Sequence, residues 1–335
     1  MDSGRLQDLL NHFPGVTVLI VGDFFLDKYL DIDPRLSEPS LETGLEAYQV
    51  TRIRRYPGAA GAVANNLRAL DVNVIALGVV GEDGEGYDLR RGLNLIGIES
   101  DGLIRAPRRF TPTYLKPMLW QGNTPARELN RFDTRNRTPL PVEIEAEMIT
   151  RLHGLFTRLP GIVIADQVSE PNCGVITDRV RLAISDLARA NPATNVLADS
   201  RERIGEFRDV MLKPNAREAR RATGLTDLAA AGRELRQRTR RPVLVTHGER
   251  GMYLFEPEGE RHIPAIPVAG PIDVVGAGDS AMAGLIAALC AGGTLAESAL
   301  VGNLAASLTI QQLGETGTTT RAQILARFEE ASLPS

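Results

Sequence analysis

The chain has 335 residues, 43% of them hydrophobic and 24% charged, the composition of a folded protein long enough for a full α/β core. A formal net charge of -4 argues against a nucleic-acid partner, because neutralising phosphates takes clustered positive charge. Two cysteines, Cys173 and Cys290, and four histidines, His12, His153, His247 and His262, lie without metal-ligand spacing, so neither a disulfide framework nor a zinc centre is expected.

The Arg-rich patches at 52–55, 217–221 and 233–241 read as solvated faces. No run of 18 apolar residues occurs and no basic leader precedes an apolar stretch, so no membrane partner and a cytoplasmic location are expected.

In chain order, residues 1–13 predict an amphipathic helix, with Leu6, Leu9, Leu10 and Phe13 on one face before Pro14. Residues 16–21 form a continuous apolar run, the pattern of a strand buried on both faces of a parallel sheet. It ends at Gly22-Asp23 with Asp27 just beyond, and acids past the carboxyl end of a strand either cap a turn or meet a ligand. Residues 30–56 change character: Pro34 and Pro39 interrupt regular structure, and 45–53 alternates as a strand.

The segment Pro57-Gly58-Ala59-Ala60-Gly61-Ala62 leads into a helix of small residues, which permits close helix packing or close approach of a ligand. Residues 74–80 predict the next buried strand. At 113–120 and 126–132 two strands joined by Gln121-Gly122-Asn123 make a second interruption, 110–133. Two strand-rich insertions, 30–56 and 110–133, in one α/β domain covering 1–335 predict a small β-sheet lid. Trp120, the only tryptophan, belongs to lid core or interface.

Strands at 162–166 and 196–199 end in Asp166 and Asp199. At Lys213-Pro214-Asn215 a strand meets a turn and then a helix carrying Asn215 and Glu218 three apart. Such a pair makes a capping box, or holds a hydrated Mg2+ that keeps most of its waters. A strand at 242–246, the turn Thr246-His247-Gly248-Glu249-Arg250-Gly251, and a strand at 252–255 follow.

The most informative stretch is Asp273-Val274-Val275-Gly276-Ala277-Gly278-Asp279, running into an apolar helix at 280–290. A helix start presents unpartnered N–H groups and partial positive charge, so this turn is suited to an anion. Asp279 beside it can take a proton from a hydroxyl, and the combination predicts phosphoryl transfer to an alcohol.

Residues 273–279 resemble D-x-x-G-A-G-D, the C-terminal signature of the ribokinase-like (PfkB) sugar kinases. Gly22-Asp23 with Leu26-Asp27 resembles the family's G-D-x-x-L-D, residues 78–86 its G-x-x-G-x-D-x-x-G, and Asn215 with Glu218 its N-x-x-E. The resemblance covers nearly the whole chain and is nearest the bacterial heptose 7-phosphate kinases, through 18–30, Arg131-Phe132-Asp133 and 243–254. It implies a three-layer α/β sandwich with a central, mostly parallel sheet, and a lid that also joins a homodimer.

It also implies ATP, Mg2+ and K+, with a sugar or sugar phosphate as acceptor. Asp279 becomes the base, with Gly276, Ala277 and Gly278 forming the anion hole. Asp23, Asp27, Gly58 and Asn66 fall on the sugar side, and Thr246, Gly248, Gly251 and Asn303 on the nucleotide side. Asn215 and Glu218 are assigned to Mg2+ through water, and Asp273 to a monovalent cation. One departure stands on the sugar side: Ala59 replaces the second Gly of the family's N-terminal signature and Ala62 its sugar-binding Asn, leaving Asn65 or Asn66 to compensate.

A ribokinase or fructokinase type of specificity, or a silent sugar- or nucleotide-binding regulator, is the alternative. A dinucleotide oxidoreductase is disfavoured because Gly22-Asp23-Phe24 stands where Gly-x-Gly-x-x-Gly belongs.

Overall fold

The computed structural model describes residues 1–120, 126–314 and 317–332. The Gln121-Gly122-Asn123 connection, and Glu315 and Thr316 of the 314–317 turn, lie outside the described residues. Apolar runs with little alternation become the strands of one nine-stranded sheet, because burial on both faces rewards apolar residues at every position.

Across this sheet the order is Gly259–Ile263, Met252–Glu256, Val243–Thr246, Met211–Leu212, Asn195–Ser200, Gly161–Asp166, Thr17–Gly22, Asn73–Gly81 and Leu103–Ala106. All neighbours are parallel except the first two pairings in this order, Met252–Glu256 with its neighbours on either side, which are antiparallel. The chain runs outward from Thr17–Gly22 to one side, then returns to fill the other. The order therefore reverses beside Thr17–Gly22, where open α/β sheets form a crevice at the strands' carboxyl ends.

Side chains alternate between two cores. Val18, Ile20, Val163 and Leu197 pack under helices Ser3–His12, Ala60–Ala69, Ala277–Cys290, Leu295–Thr309 and Arg321–Ser332. Leu19, Val21, Ile162, Ile164 and Val196 pack under Val142–Phe156, Asp178–Ala190, Ala216–Thr223 and Leu228–Thr239. Helix, sheet and helix make three layers.

A second, five-stranded sheet orders Phe132–Thr134, Thr113–Leu119, Phe24–Ile32 and Val50–Ala59, with Arg127–Glu128 also on Thr113–Leu119. Its extent differs from the sequence expectation in three places. The first strand begins at Phe24 rather than near residue 30, because the chain leaves the main sheet at Asp23 and pairs at once with Ala59. Residues 45–53 do not form one strand: Glu46–Ala47 pairs with Glu38–Pro39, and the sheet strand starts at Val50.

The stretch expected at 126–132 splits in two. Glu128 lies opposite Met118 and Phe132 opposite Leu115, so the returning chain carries one extra residue across from Pro117, which has no N–H to offer. Helix Leu295–Thr309 starts where Thr294 and Glu297 form a capping box. Among the described residues no helix is long and apolar enough to cross a membrane.

Ala59 joins the small sheet to helix Ala60–Ala69 at φ 52 and ψ -118, a conformation that glycine adopts freely and a Cβ resists. Ala59→Gly relieves that strain at some cost in chain entropy, and should raise unfolding stability by about 1 kcal/mol in urea titration. Equal or lower stability of the variant would show that the Cβ is not strained there.

Candidate active site

The turn before helix Ala277–Cys290 is shaped by Gly276, which sits at φ 80 and ψ -3 as its N-cap. The Ala277 N–H reaches Val274 O at 3.2 Å and the Asp279 N–H reaches Gly276 O at 3.0 Å. The Gly278 N–H has no acceptor among the described residues, so of these three amides it is the one open to an outside anion.

Asp279 is half-buried one residue on, and burial pushes its carboxyl up to about 7. The charge of Asp199 adds to that rise, Lys213 and Arg201 oppose it, and Asp27 adds a smaller push. These five side chains come from four separate segments, Asp199 and Arg201 sharing one. Asp199 ends its strand, Lys213 follows Met211–Leu212, and the two form an ion pair of 2.8 Å.

Glu218 shares this field: burial and Asp199 raise its proton affinity, while Asn215 N–H and Lys213 hold it down. Asn215 and Glu218 cap helix Ala216–Thr223 reciprocally. Asn215 Oδ1 accepts from the Arg217 and Glu218 amides at 2.9 Å, and Glu218 Oε2 accepts from Asn215 N at 2.8 Å. Glu218 Oε1 stays outside this box. Among the described residues no three His, Cys, Asp or Glu converge as a metal cage. A divalent ion fits here only as a hydrated one shared with phosphate, beside the surplus negative charge of Asp199, Glu218 and Asp279.

On the acceptor side, Asp27 Oδ1 forms an ion pair with Lys116 Nζ at 3.1 Å. Gly58 is required opposite it, since a Cβ there would meet Asp27 Oδ2 at 2.6 Å. Asn66 is 1% exposed; its Nδ2 donates to Ala62 O at 3.0 Å and its Oδ1 has no partner.

Asp23 does not join this group, which revises the expectation of a substrate contact there. It is 3% exposed, and its carboxylate accepts from the amides of Gln167 at 2.8 Å, Val168 at 3.1 Å and Val175 at 2.7 Å. Those three donors hold the carboxylate against the 167–175 loop.

Thr246 lies beside Asn215, its N–H on Pro214 O at 3.0 Å. Gly248 and Gly251 turn the chain at φ 54 and 84, and a Cβ on Gly251 would strike Ile263 O at 2.2 Å. Asn303 is 6% exposed and spends its Nδ2 on Ile263 O at 3.1 Å and Pro264 O at 2.9 Å. Asp273 ties the central turn to the chain after helix Leu295–Thr309, accepting from Val275 N at 3.0 Å and Gly314 N at 3.3 Å.

Sequence reading passed over Lys213 and Arg201. Their signal, a cation at or just past the end of a buried strand, was present but carried no motif. Asp166, marked as a second strand-end acid, is not in the Asp279 group: Arg203 at 2.7 Å and Ser200 at 2.6 Å engage it, and burial raises its carboxyl to about 6.

Residues 177–321 match the family model described as pfkB family carbohydrate kinase. The chain is 31% identical to the bifunctional protein HldE of Trichlorobacter lovleyi across 97% of its own length and 65% of that protein. It is 32% identical to HldE of Wolinella succinogenes across 92% and 64%. It therefore spans about two-thirds of the length of these relatives, at 65% for the first.

Among solved structures, it resembles Arabidopsis thaliana ribokinase complexed with ribose and ATP at a TM-score of 0.68 and 19% identity, covering 95% of this chain and 99% of that one. It also resembles Escherichia coli phosphofructokinase-2 at 0.71 and 17%, covering 95% and 100%. At these identities the structures bear on the fold, which is ribokinase-like.

A carboxyl whose folded pKa is raised from 3.8 to about 7 costs stability wherever the unfolded chain ionises it, so the penalty is absent below about pH 4, grows as pH rises to about 7 and is constant above that. Asp279→Asn should therefore stabilise the protein at pH 8 by about 1–2 kcal/mol, allowing for solvent screening at a half-buried site, and give little gain at pH 4. Thermal unfolding at both pH values checks this, and an equal gain at each rules out the ionisation account.

Proposed function

With residues 177–321 placing the chain in the pfkB family of carbohydrate kinases, we propose that residues 1–335 form one kinase domain that transfers the γ-phosphoryl group of ATP to a hydroxyl of a sugar or sugar phosphate. The acceptor is of the heptose 7-phosphate type, a reading supported by the likeness to HldE. One observation carries the mechanism: a carboxyl lifted to about 7 stands one residue past a helix-start amide that has no internal acceptor.

Asp279 takes the acceptor hydroxyl's proton, and its raised proton affinity suits it to a hydroxyl that becomes acidic only as it attacks. Gly278 N–H, within the turn made by Gly276 and Ala277, meets the charge gathering on the phosphoryl oxygens. Asp27, held by Lys116, orients the acceptor, with Gly58 leaving room beside it and Asn66 on the same side.

Thr246, Gly248, Gly251 and Asn303 border the nucleotide. Mg2+, when bound through water to Asn215 and Glu218, neutralises phosphate charge. Asp273 borders a K+ site. The small sheet covers the acceptor side and joins two copies in the cytoplasm, a reading supported by Val50, Ile53 and Phe132, which leave 42%, 42% and 64% of their surface exposed.

Transfer from ATP across a panel of sugars and sugar phosphates tests the activity. Asp279→Asn should lower turnover by roughly 10²- to 10⁴-fold with nucleotide binding kept. Turnover of the unaltered protein should fall as pH drops through about 7, where the base takes up its proton. Undiminished transfer by the variant removes Asp279 as the base. The altered Ala59 and Ala62 positions favour a second reading, a regulator, and the same panel decides it: a regulator binds nucleotide or sugar without consuming ATP.

A further inference from the structure

Asp199, Glu218 and Asp279 bring three carboxylates to the place where an anionic phosphoryl group has to arrive. One ammonium is buried among them. Lys213 is 3% exposed, its main-chain N–H is fixed to Ala198 O at 2.9 Å, and its Nζ lies 2.8 Å from Asp199 Oδ2. A Cβ built on Gly278 would lie 3.8 Å from that Nζ, so the ammonium sits against the first turn of helix Ala277–Cys290, next to the residue whose N–H is open.

Composition adds an independent point. Only Lys28, Lys116 and Lys213 are lysines, and the other 35 basic side chains are arginines. A chain that uses arginine this consistently keeps lysine at Lys213, where a compact charge with three rotatable donors fits under a helix turn and a broad planar guanidinium does not. Lys28 and Lys116 are engaged elsewhere, with Glu85 at 3.0 Å and Asp27 at 3.1 Å.

We propose that Lys213 is a further catalytic residue: its ammonium, held by Asp199 beneath Gly278, binds the phosphoryl group during transfer. The proposal rests on the kinase reading above. Asp199 then acts as a positioning residue. A buried lysine left free would be costly, and the ion pair keeps it charged and aimed without covering all three of its protons.

The test compares two nucleotides on Lys213→Met. ADP lacks the γ-phosphoryl group, and the imido analogue of ATP carries one that is not transferred. Binding of the imido analogue should weaken about tenfold with ADP binding unchanged, and turnover should fall roughly 10²-fold, as for loss of one preorganised donor.

Equal weakening of both nucleotides, or no change in either, overturns the proposal and leaves Lys213 as a counter-ion for Asp199. Should Lys213→Met not fold, Lys213→Met with Asp199→Asn leaves no unpaired charge, and the same selective loss is expected of it. The nucleotide comparison is a binding measurement, so it decides on Lys213 even if no sugar in the panel accepts phosphate, an outcome that would count against the kinase reading itself.

Discussion

The carboxylate of Asp23 holds the two sheets and the loop between them in one arrangement. Its oxygens take three amides from the 167–175 loop, its own N–H bonds Ala165 O at 3.0 Å, and its carbonyl accepts from Ala60 N at 3.1 Å. One residue thus fixes the end of the first main-sheet strand, the start of the small sheet and the start of helix Ala60–Ala69. Arg203 secures the other end of the same loop through Asp166, Val168 O and Ser169 O. Burial raises the proton affinity of Asp23, and the three amides and Arg203 offset part of that rise. A buried acid at this crossing earns its place because every lone pair it loses to water is replaced by a main-chain donor.

That junction determines where Asp27 falls. Four residues beyond Asp23 along the strand Phe24–Ile32, it faces Gly58 and Lys116 and is close enough to influence Asp279. The site is then assembled from ends: the carboxyl ends of main-sheet strands, the start of one long helix and the edge of the small sheet. None of these groups would be placed by its own segment. Crowding Asp199, Glu218 and Asp279 costs the folded state electrostatic energy, and Lys213 and Arg201 offset only part of it. Such strain is the usual companion of a base whose proton affinity lies near neutral pH.

Much of this was legible in the chain. Continuous apolar runs at 16–21, 162–166 and 242–246 could bury only as central strands, and Gly276 before Ala277 marks a helix start by its backbone freedom alone. The small sheet was harder to read. Its strands are half exposed, one carries Pro117, and its register depends on partners distant in sequence, so local pattern placed Val50–Ala59 and Phe132–Thr134 several residues astray. Asp23 and Asp27 are two acids in one short motif, equally suited on paper to a hydroxyl. Only the loop at 167–175, far along the chain, ties one to main-chain amides and leaves the other facing the Lys116 side chain.

The sequence by itself determined the α/β class, the identity of the acid at the helix start and the pairing of Asn215 with Glu218, because each depends on residues within one turn or one strand. Tertiary structure alone decided which acids share a field, that Gly278 offers the open amide, and that Lys213 lies beneath it. The reason is physical: proton affinities and hydrogen-bond vacancies are set by what surrounds a group in space, and here those surroundings come from four segments spread over some 250 residues of chain.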